Sequence, residues 1–259
     1  MLNNKTILVT GVASGIGAAT ARELQRQGAR VIGLDINAPS EKLYRFIQAD
    51  LTEPQSVQQA VSAVGEPLDG LCNCAGLPPT RPAEQVLTVN FTALRDLIEQ
   101  LIPNLADNAS IVNLASLAGL GWPDASEQVK ALHAIRDYRH IEDFCRRYDM
   151  AKGRSYFLSK EALIVWTMAN RWTWRERGIR MNCVSPGPVD TPILQDFNET
   201  LGERAEEDRK IMDRPGTPED IAPICAFLLS DGSRWLRGTN IAADGGMFAH
   251  VQCHAANYE

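Results

Sequence analysis

A phenol and an ammonium stand four residues apart in the stretch YFLSK, at Tyr156 and Lys160. On a helix that spacing puts both on one face, so a group that can carry a proton sits beside a positive charge. An isolated pair of this kind is an everyday feature of amphipathic helices. It gains meaning only if other residues supply a reaction, and two further groups do so. The stretch TGVASGIG sets Gly11, Gly15 and Gly17 between a strand-like run and a helix-like one. Glycines there permit a tight turn and close backbone approach, and the helix N-terminus that follows can hold a pyrophosphate. The spacing differs from the commoner G-x-G-x-x-G. Asp35 closes the next strand-like run, about twenty residues on, where an acid can accept hydrogen bonds from both adenosine ribose hydroxyls. A carboxylate there also repels a 2′-phosphate. Ile36 and Asn37 follow it instead of an arginine, and the glycine loop holds no basic residue. NAD is therefore expected over NADP. Without that context, Asp35 reads as a turn cap at a strand end.

These groups need a scaffold, and apolar runs alternate with helical patterns almost throughout. Strands are expected at 5–10, 29–35, 45–50, 68–74, 110–116, 179–185 and 240–243. Helices are expected at 16–28, 53–64, 84–105, 154–177 and 218–230. Strands apolar on both faces, separated by helix-length crossovers, describe a parallel sheet covered on two sides. The expected fold is α/β: a Rossmann-type, doubly wound, seven-stranded parallel sheet in a single domain, 1–259. No repeat, linker or low-complexity segment interrupts it.

With 259 residues, 44% hydrophobic and 22% charged, the chain reads as an ordinary globular protein near the upper size for one core. Its net charge of −6 offers no basic field for nucleic acid or an anionic membrane. The positive cluster at Arg146 and Arg147 is interleaved with acids. The N-terminal MLNNKTILVT enters a strand pattern directly, and no apolar run approaches a membrane span, so a cytoplasmic protein is expected. The six cysteines fall mostly in expected strands and helices. Cys72 and Cys74 share a strand face, but no second cysteine pair or histidine cluster completes a zinc site, and His133, His140, His250 and His254 show no metal spacing. No metal is expected.

Taken together and in order, these motifs resemble those of the short-chain dehydrogenase/reductase family over almost the full chain. TGVASGIG is similar to its cofactor loop, with Gly11, Ser14, Gly15, Ile16 and Gly17 as contacts. Asp50 and Leu51 resemble its adenine contact. Asn73-Cys74-Ala75-Gly76 resembles its NNAG motif, departing by a cysteine at the second position, and implies Asn73, Ala75 and Gly76 near the cofactor. Asn90 in TVNF, Ser116 in NLAS, and Tyr156 with Lys160 match its catalytic tetrad. Pro186, Gly187, Val189 and Thr191 resemble its nicotinamide-side loop. The resemblance implies that a hydride passes between a carbinol carbon and the nicotinamide while Tyr156 takes or gives the hydroxyl proton. It further implies that Lys160 also binds the nicotinamide ribose, Ser116 orients the substrate oxygen, and Asn90 holds a proton-relay water. A free tyrosine titrates near ~10. An ammonium about 4 Å away, at an effective dielectric of ~20, contributes on the order of 4 kcal/mol. That would lower the phenol by up to about three units before desolvation opposes it.

One departure is large, since a helical insertion at 121–153 separates Ser116 from Tyr156. The arrangement resembles the branch that contains bacterial 3α-hydroxysteroid and coniferyl-alcohol dehydrogenases. That resemblance implies a bulky, flat, apolar alcohol or its carbonyl product as substrate, of aromatic or steroid type. Leu117, Trp122, Phe157, Pro188, Leu194, Phe197 and Met212 are the candidate pocket lining, although each is equally a core residue by type. A non-catalytic dinucleotide-sensing scaffold is the rival reading, and an intact tetrad argues against it. Within the insertion, Val129, Leu132, Ile135, Tyr138, Ile141, Phe144 and Tyr148 fall mostly three apart. That is an apolar stripe on one or two helices, to be buried on the domain or on a partner. By covering the helices near 84–105 and 154–177, the insertion would block a four-helix contact common in the family. A homodimer through 218–230 and 240–243 is expected instead.

Overall fold

The computed structural model describes residues 2–151, 153–202 and 211–258. Seven parallel strands form one sheet in the order β3-β2-β1-β4-β5-β6-β7: β1 (Thr6–Thr10), β2 (Arg30–Asp35), β3 (Arg45–Gln48), β4 (Leu68–Asn73), β5 (Leu105–Leu114), β6 (Arg180–Pro186) and β7 (Asn240–Ala243). The order reverses between β1 and β4, which opens a crevice beyond their carboxyl ends. Alternation fails as a pattern here because both sheet faces are covered. On one face α1 (Gly15–Arg26) and α9 (Pro218–Leu229) bury Leu24, Ile221 and Cys225 against Ile7 and Val9. On the other, α2 (Pro54–Val64), α4 (Ala93–Leu101) and α7 (Arg154–Ala169) bury Val57, Leu97 and Leu163 against Leu8 and Ile111. The expected seven-stranded, doubly wound α/β fold is the observed one.

Two long helices differ from expectation. The segment expected as one helix at 84–105 is α3 (Ala83–Leu87), a π turn (Thr88–Thr92), α4 and a short 3-10 turn that ends at Asn104. The π turn brings Asn90 inward, where its side chain bonds the chain after β4. Pro103 has no amide to continue a helix, and β5 begins at Leu105, five residues before the expected start. The helix expected to reach 177 stops at Ala169. There the Asn170 side chain donates to the Trp166 carbonyl at 2.9 Å and competes with the backbone ladder.

The insertion folds as α5 (Ser126–Ala134) and α6 (His140–Arg147). Its stripe turns inward onto the same chain: Val129, Leu132, Ile141 and Phe144 are buried, with Ile135, Tyr138 and Tyr148 packed beside them. Polar contacts pin it as well. The buried Arg95 guanidinium of α4 donates to the carbonyls of His133, at 3.0 Å, and of Ile135. The Tyr138 hydroxyl donates to Asp96 at 3.0 Å. His133 stacks on Phe91 at 5.0 Å and its Nε2 lies 2.9 Å from the Ala162 carbonyl of α7.

Candidate active site

The loop after β1 is shaped by what its glycines lack. Gly11 has φ +74°, and a Cβ there would stand 2.8 Å from the Ala75 nitrogen. A Cβ on Gly17 would stand 2.0 Å from the Gly11 carbonyl oxygen. No other residue lets the loop, the chain after β4 and the start of α1 approach so closely. Ser14 precedes α1 without a side-chain cap, and the first turn carries no acid. The amides opening α1 therefore keep free hydrogen-bonding capacity and the positive end of the helix dipole. Asp35, at the end of β2, is oriented by accepting from the amides of Ala13 (3.0 Å) and Asn37 (2.9 Å).

These elements border one cleft of about 1050 Å³ along the carboxyl ends of the strands. Gly11, Ser14, Gly15, Ile16, Gly17, Asp35, Asp50, Leu51, Ala75 and Gly76 line one part. Ser116, Tyr156, Lys160, Pro186, Gly187, Val189 and Thr191 also line the cleft, with Thr191 beside Gly15 and Lys160 beside Gly76, and so do the apolar Leu117, Phe157, Pro188, Leu194 and Phe197. Of the residues expected there, four are elsewhere. Asn73 is fully buried under the cleft and donates to Asn113 at 2.9 Å, bracing β4 against β5. Asn90 is also fully buried. Its side chain accepts from the Leu77 amide (2.7 Å) and donates to the Leu77 carbonyl (3.1 Å) and Ser159 (3.3 Å), so that side chain is spent on holding the chain after β4. Trp122 packs on the core, and Met212 is buried outside the cleft. Conversely, Met247, Phe248 and Val251 of α10 (Met247–Ala255) line the cleft unannounced. The apolar run MFAHV was their signal, and Asp244 starts this helix by accepting from the Gly246 and Phe248 amides.

Tyr156 and Lys160 are not a surface pair. Packed between the sheet and the insertion, α7 leaves them 8% and 6% exposed. Lys160 Nζ donates to the Leu114 carbonyl at 2.8 Å and lies 5.5 Å from the Tyr156 ring centroid. Burial pushes the phenol up to about 12, and a Ser116 hydrogen bond pulls it partly back. Burial brings Lys160 down to about 8. The phenol thus rests above its ordinary value and not below it, because the desolvation that opposes the expected lowering outweighs the Ser116 hydrogen bond. The resting phenol is the acid form, next to a Ser116 hydroxyl that also accepts from the Ala118 amide at 3.1 Å. The Tyr156 ring meets Phe197 of α8 (Leu194–Leu201) edge-on at 4.7 Å. The arrangement can bind an elongated anion on backbone amides and hand one proton to an oxygen beside Ser116.

Residues 5–126 match the family model described as short chain dehydrogenase, and residues 145–248 the model described as Enoyl-(Acyl carrier protein) reductase. The chain is 42% identical over 248 residues to a coniferyl-alcohol dehydrogenase of a Pseudomonas species, across 95% of this chain and 97% of that one. The chain belongs to the short-chain dehydrogenase/reductase family. It is also 30% identical over 254 residues to the 3-alpha-hydroxysteroid dehydrogenase/carbonyl reductase of Comamonas testosteroni, across 94% of this chain and 96% of that one. A 3-alpha-hydroxysteroid dehydrogenase from a Pseudomonas species, crystallised with NADH, superposes with a TM-score of 0.81 at 31% identity, covering 96% of this chain and 98% of that one. The resemblance read from the motifs, down to its branch, is borne out. Most of the two inserted helices falls between the two model matches.

Proposed function

We propose that this short-chain dehydrogenase/reductase is an NAD-dependent alcohol dehydrogenase or carbonyl reductase for bulky aromatic alcohols of the cinnamyl or coniferyl type. The observation that carries the reading is the convergence of Tyr156, Lys160 and Ser116 in one cleft, with a glycine-rich backbone cradle adjoining Lys160 through Gly76 and the apolar Phe197 against Tyr156. The cradle fits a dinucleotide: Gly11 and Gly17 leave no room for a Cβ, and the amides opening α1 suit a pyrophosphate. Asp35 suits the ribose diol. Among the described residues lining the cleft, the cations are Arg81 and Lys160, neither of them in the Asp35 loop. That favours NAD over its 2′-phosphate. Bound NAD would accept or give the hydride, and its oxidised form would add a positive charge that favours the phenolate. Tyr156 moves the proton of the substrate oxygen, Ser116 orients that oxygen, and Lys160 keeps charge beside the phenol and reaches for the nicotinamide ribose. Asn90 acts by position, tying the chain after β4 to α7.

The second reading, a 3α-hydroxysteroid, is supported by the relative of that name and by the same apolar wall, at lower identity. An alcohol panel with NAD⁺, spanning cinnamyl-type alcohols and hydroxysteroids and read by absorbance of the reduced nicotinamide, separates the two. Cinnamyl-type alcohols are expected to react fastest, and no reduction with any member would overturn the proposal. The six free thiols fit a reducing compartment, and we place the enzyme in the cytoplasm. With the α4 and α7 faces covered by the insertion, a homodimer through α9 and edge strand β7 is the assembly we expect. Light scattering tests it, and a tetramer would contradict it.

A further inference from the structure

We propose that Glu161 sets substrate specificity by accepting a hydrogen bond from a hydroxyl at the end of the substrate remote from the carbinol. The inference rests on the reading of the cleft as a site for a flat aromatic alcohol. On α7, Phe157 and Glu161 are four residues apart, so they share a helix face, and both line the cleft. Leu117, Leu120 and Gly121 form the wall beside them. A Cβ on Gly121 would stand 3.3 Å from Glu161 Oε1, so that segment and the carboxylate adjoin.

A carboxylate only 4% exposed in such a wall is tolerated because it is paired. Arg154 donates to its two oxygens at 2.9 and 2.7 Å. Arg154 also donates to Gln128 of α5 at 3.0 and 2.6 Å, which ties the pair to the insertion. Among the described residues Arg154 alone donates to Glu161. Each carboxylate oxygen can accept twice, so acceptor capacity is left for a ligand, while the Arg154 donors are directed at Glu161 and Gln128. This end of the wall therefore selects a donor. A hydroxyl can use that remaining capacity, an ether or bare ring cannot, and a carboxylate is repelled. Glu161 lies five residues beyond Tyr156, about 7.5 Å of helix rise, comparable with a three-carbon side chain plus a benzene ring. The other polar lining residues of this half, Arg81, Gln85 and Gln252, are exposed. A para-hydroxylated cinnamyl-type alcohol is the substrate chemistry that fits.

The test compares kcat/KM for 4-hydroxycinnamyl and 4-methoxycinnamyl alcohols with NAD⁺, since the methoxy group fills the same space but cannot donate. Wild type is expected to favour the hydroxyl by about 10- to 100-fold, as for a bond to a charged acceptor. Glu161→Gln should narrow that ratio. The paired variant Glu161→Leu/Arg154→Met, which leaves no lone charge to unfold the protein, should bring it near unity. Calorimetric binding of 4-hydroxycinnamamide against 4-methoxycinnamamide reads the same preference without turnover. If no alcohol is oxidised, the enzymatic reading fails while this binding preference still tests Glu161. Equal binding of the two amides by wild type, or a hydroxyl preference that survives in the paired variant, would overturn the inference.

Discussion

On the side of the cleft read as the cofactor half, the wall is mostly backbone: a glycine turn, the amides opening α1, and strand ends whose spacing the sheet dictates. On the substrate half it is side chains drawn from separate segments, among them Leu117 after β5, Phe157 on α7, Phe197 on α8 and Val251 on α10. Backbone geometry follows from a few residues close in sequence, so the first half is shaped by local rules. The second is shaped by how distant helices dock, so its chemistry can change without disturbing the sheet. Tyr156 and Lys160 stand at the seam and answer to both halves.

Removing the seam hydroxyl should have the largest effect. Tyr156→Phe is expected to lower turnover at least about 100-fold while NAD affinity changes little, as steady-state rates and a cofactor titration would show. A variant that keeps more than a tenth of the activity would remove Tyr156 from its role. Asp35→Ala acts on the backbone half. Wild type should prefer NAD to NADP by about 100-fold or more, through lost ribose bonds and a phosphate facing a carboxylate, and the variant should narrow that to below about 10-fold. Phe197→Ala should do the reverse of Asp35→Ala, reordering the alcohol panel with the cofactor preference intact. If either variant changes both properties equally, the division into halves is wrong.

The motif-bearing groups were legible because their chemistry depends on residue type at short spacing, as with Tyr156 and Lys160 or the glycines before α1. Orientation was not legible. Asn73 and Asn90 match their motifs, yet one turns toward Asn113 and the other toward Leu77, which order along the chain cannot reveal. Trp122 and Met212 failed as lining because an apolar residue looks the same in a core and in a pocket. The balance at Tyr156 was also out of reach. Charge proximity can be read from spacing, but burial is set by segments distant in the chain, with Phe197 of α8 against the Tyr156 ring and the end of β5 against Lys160.

Smaller effects probe the cost of that burial. Lys160 is held down from 10.5 to about 8, so the folded chain binds its proton less tightly than the unfolded one. At about 1.4 kcal/mol per unit this costs about 3 kcal/mol below pH 8. Losing the bond from the charged Lys160 to the Leu114 carbonyl offsets about 1.5–3 kcal/mol of that. Lys160→Met should therefore stabilise the cofactor-free protein by at most about 2 kcal/mol at pH 7 in denaturant titrations, while abolishing activity. The gain should shrink as pH rises from 8 towards 10.5, where the lysine is neutral in both states. The smallest effect concerns His133 under the insertion. Its pKa lies below 6.5 through burial, with Arg95 and Arg136 acting the same way and the Ala162 carbonyl opposing. A base depressed in the folded state contributes stability above the unfolded pKa and loses it as pH falls through that range. Melting temperature should decline below pH 6.5 in wild type and less so in His133→Phe.

The most direct test of the account follows the hydride itself. Cinnamyl alcohol carrying two deuteriums at the carbinol carbon, incubated with NAD⁺ and the enzyme, should give cinnamaldehyde that keeps one deuterium and a reduced nicotinamide bearing the other, as mass spectrometry would record. Reduced cofactor without the label, or no reduction with any cinnamyl-type alcohol or hydroxysteroid, would contradict the reading of this cleft as an alcohol dehydrogenase site.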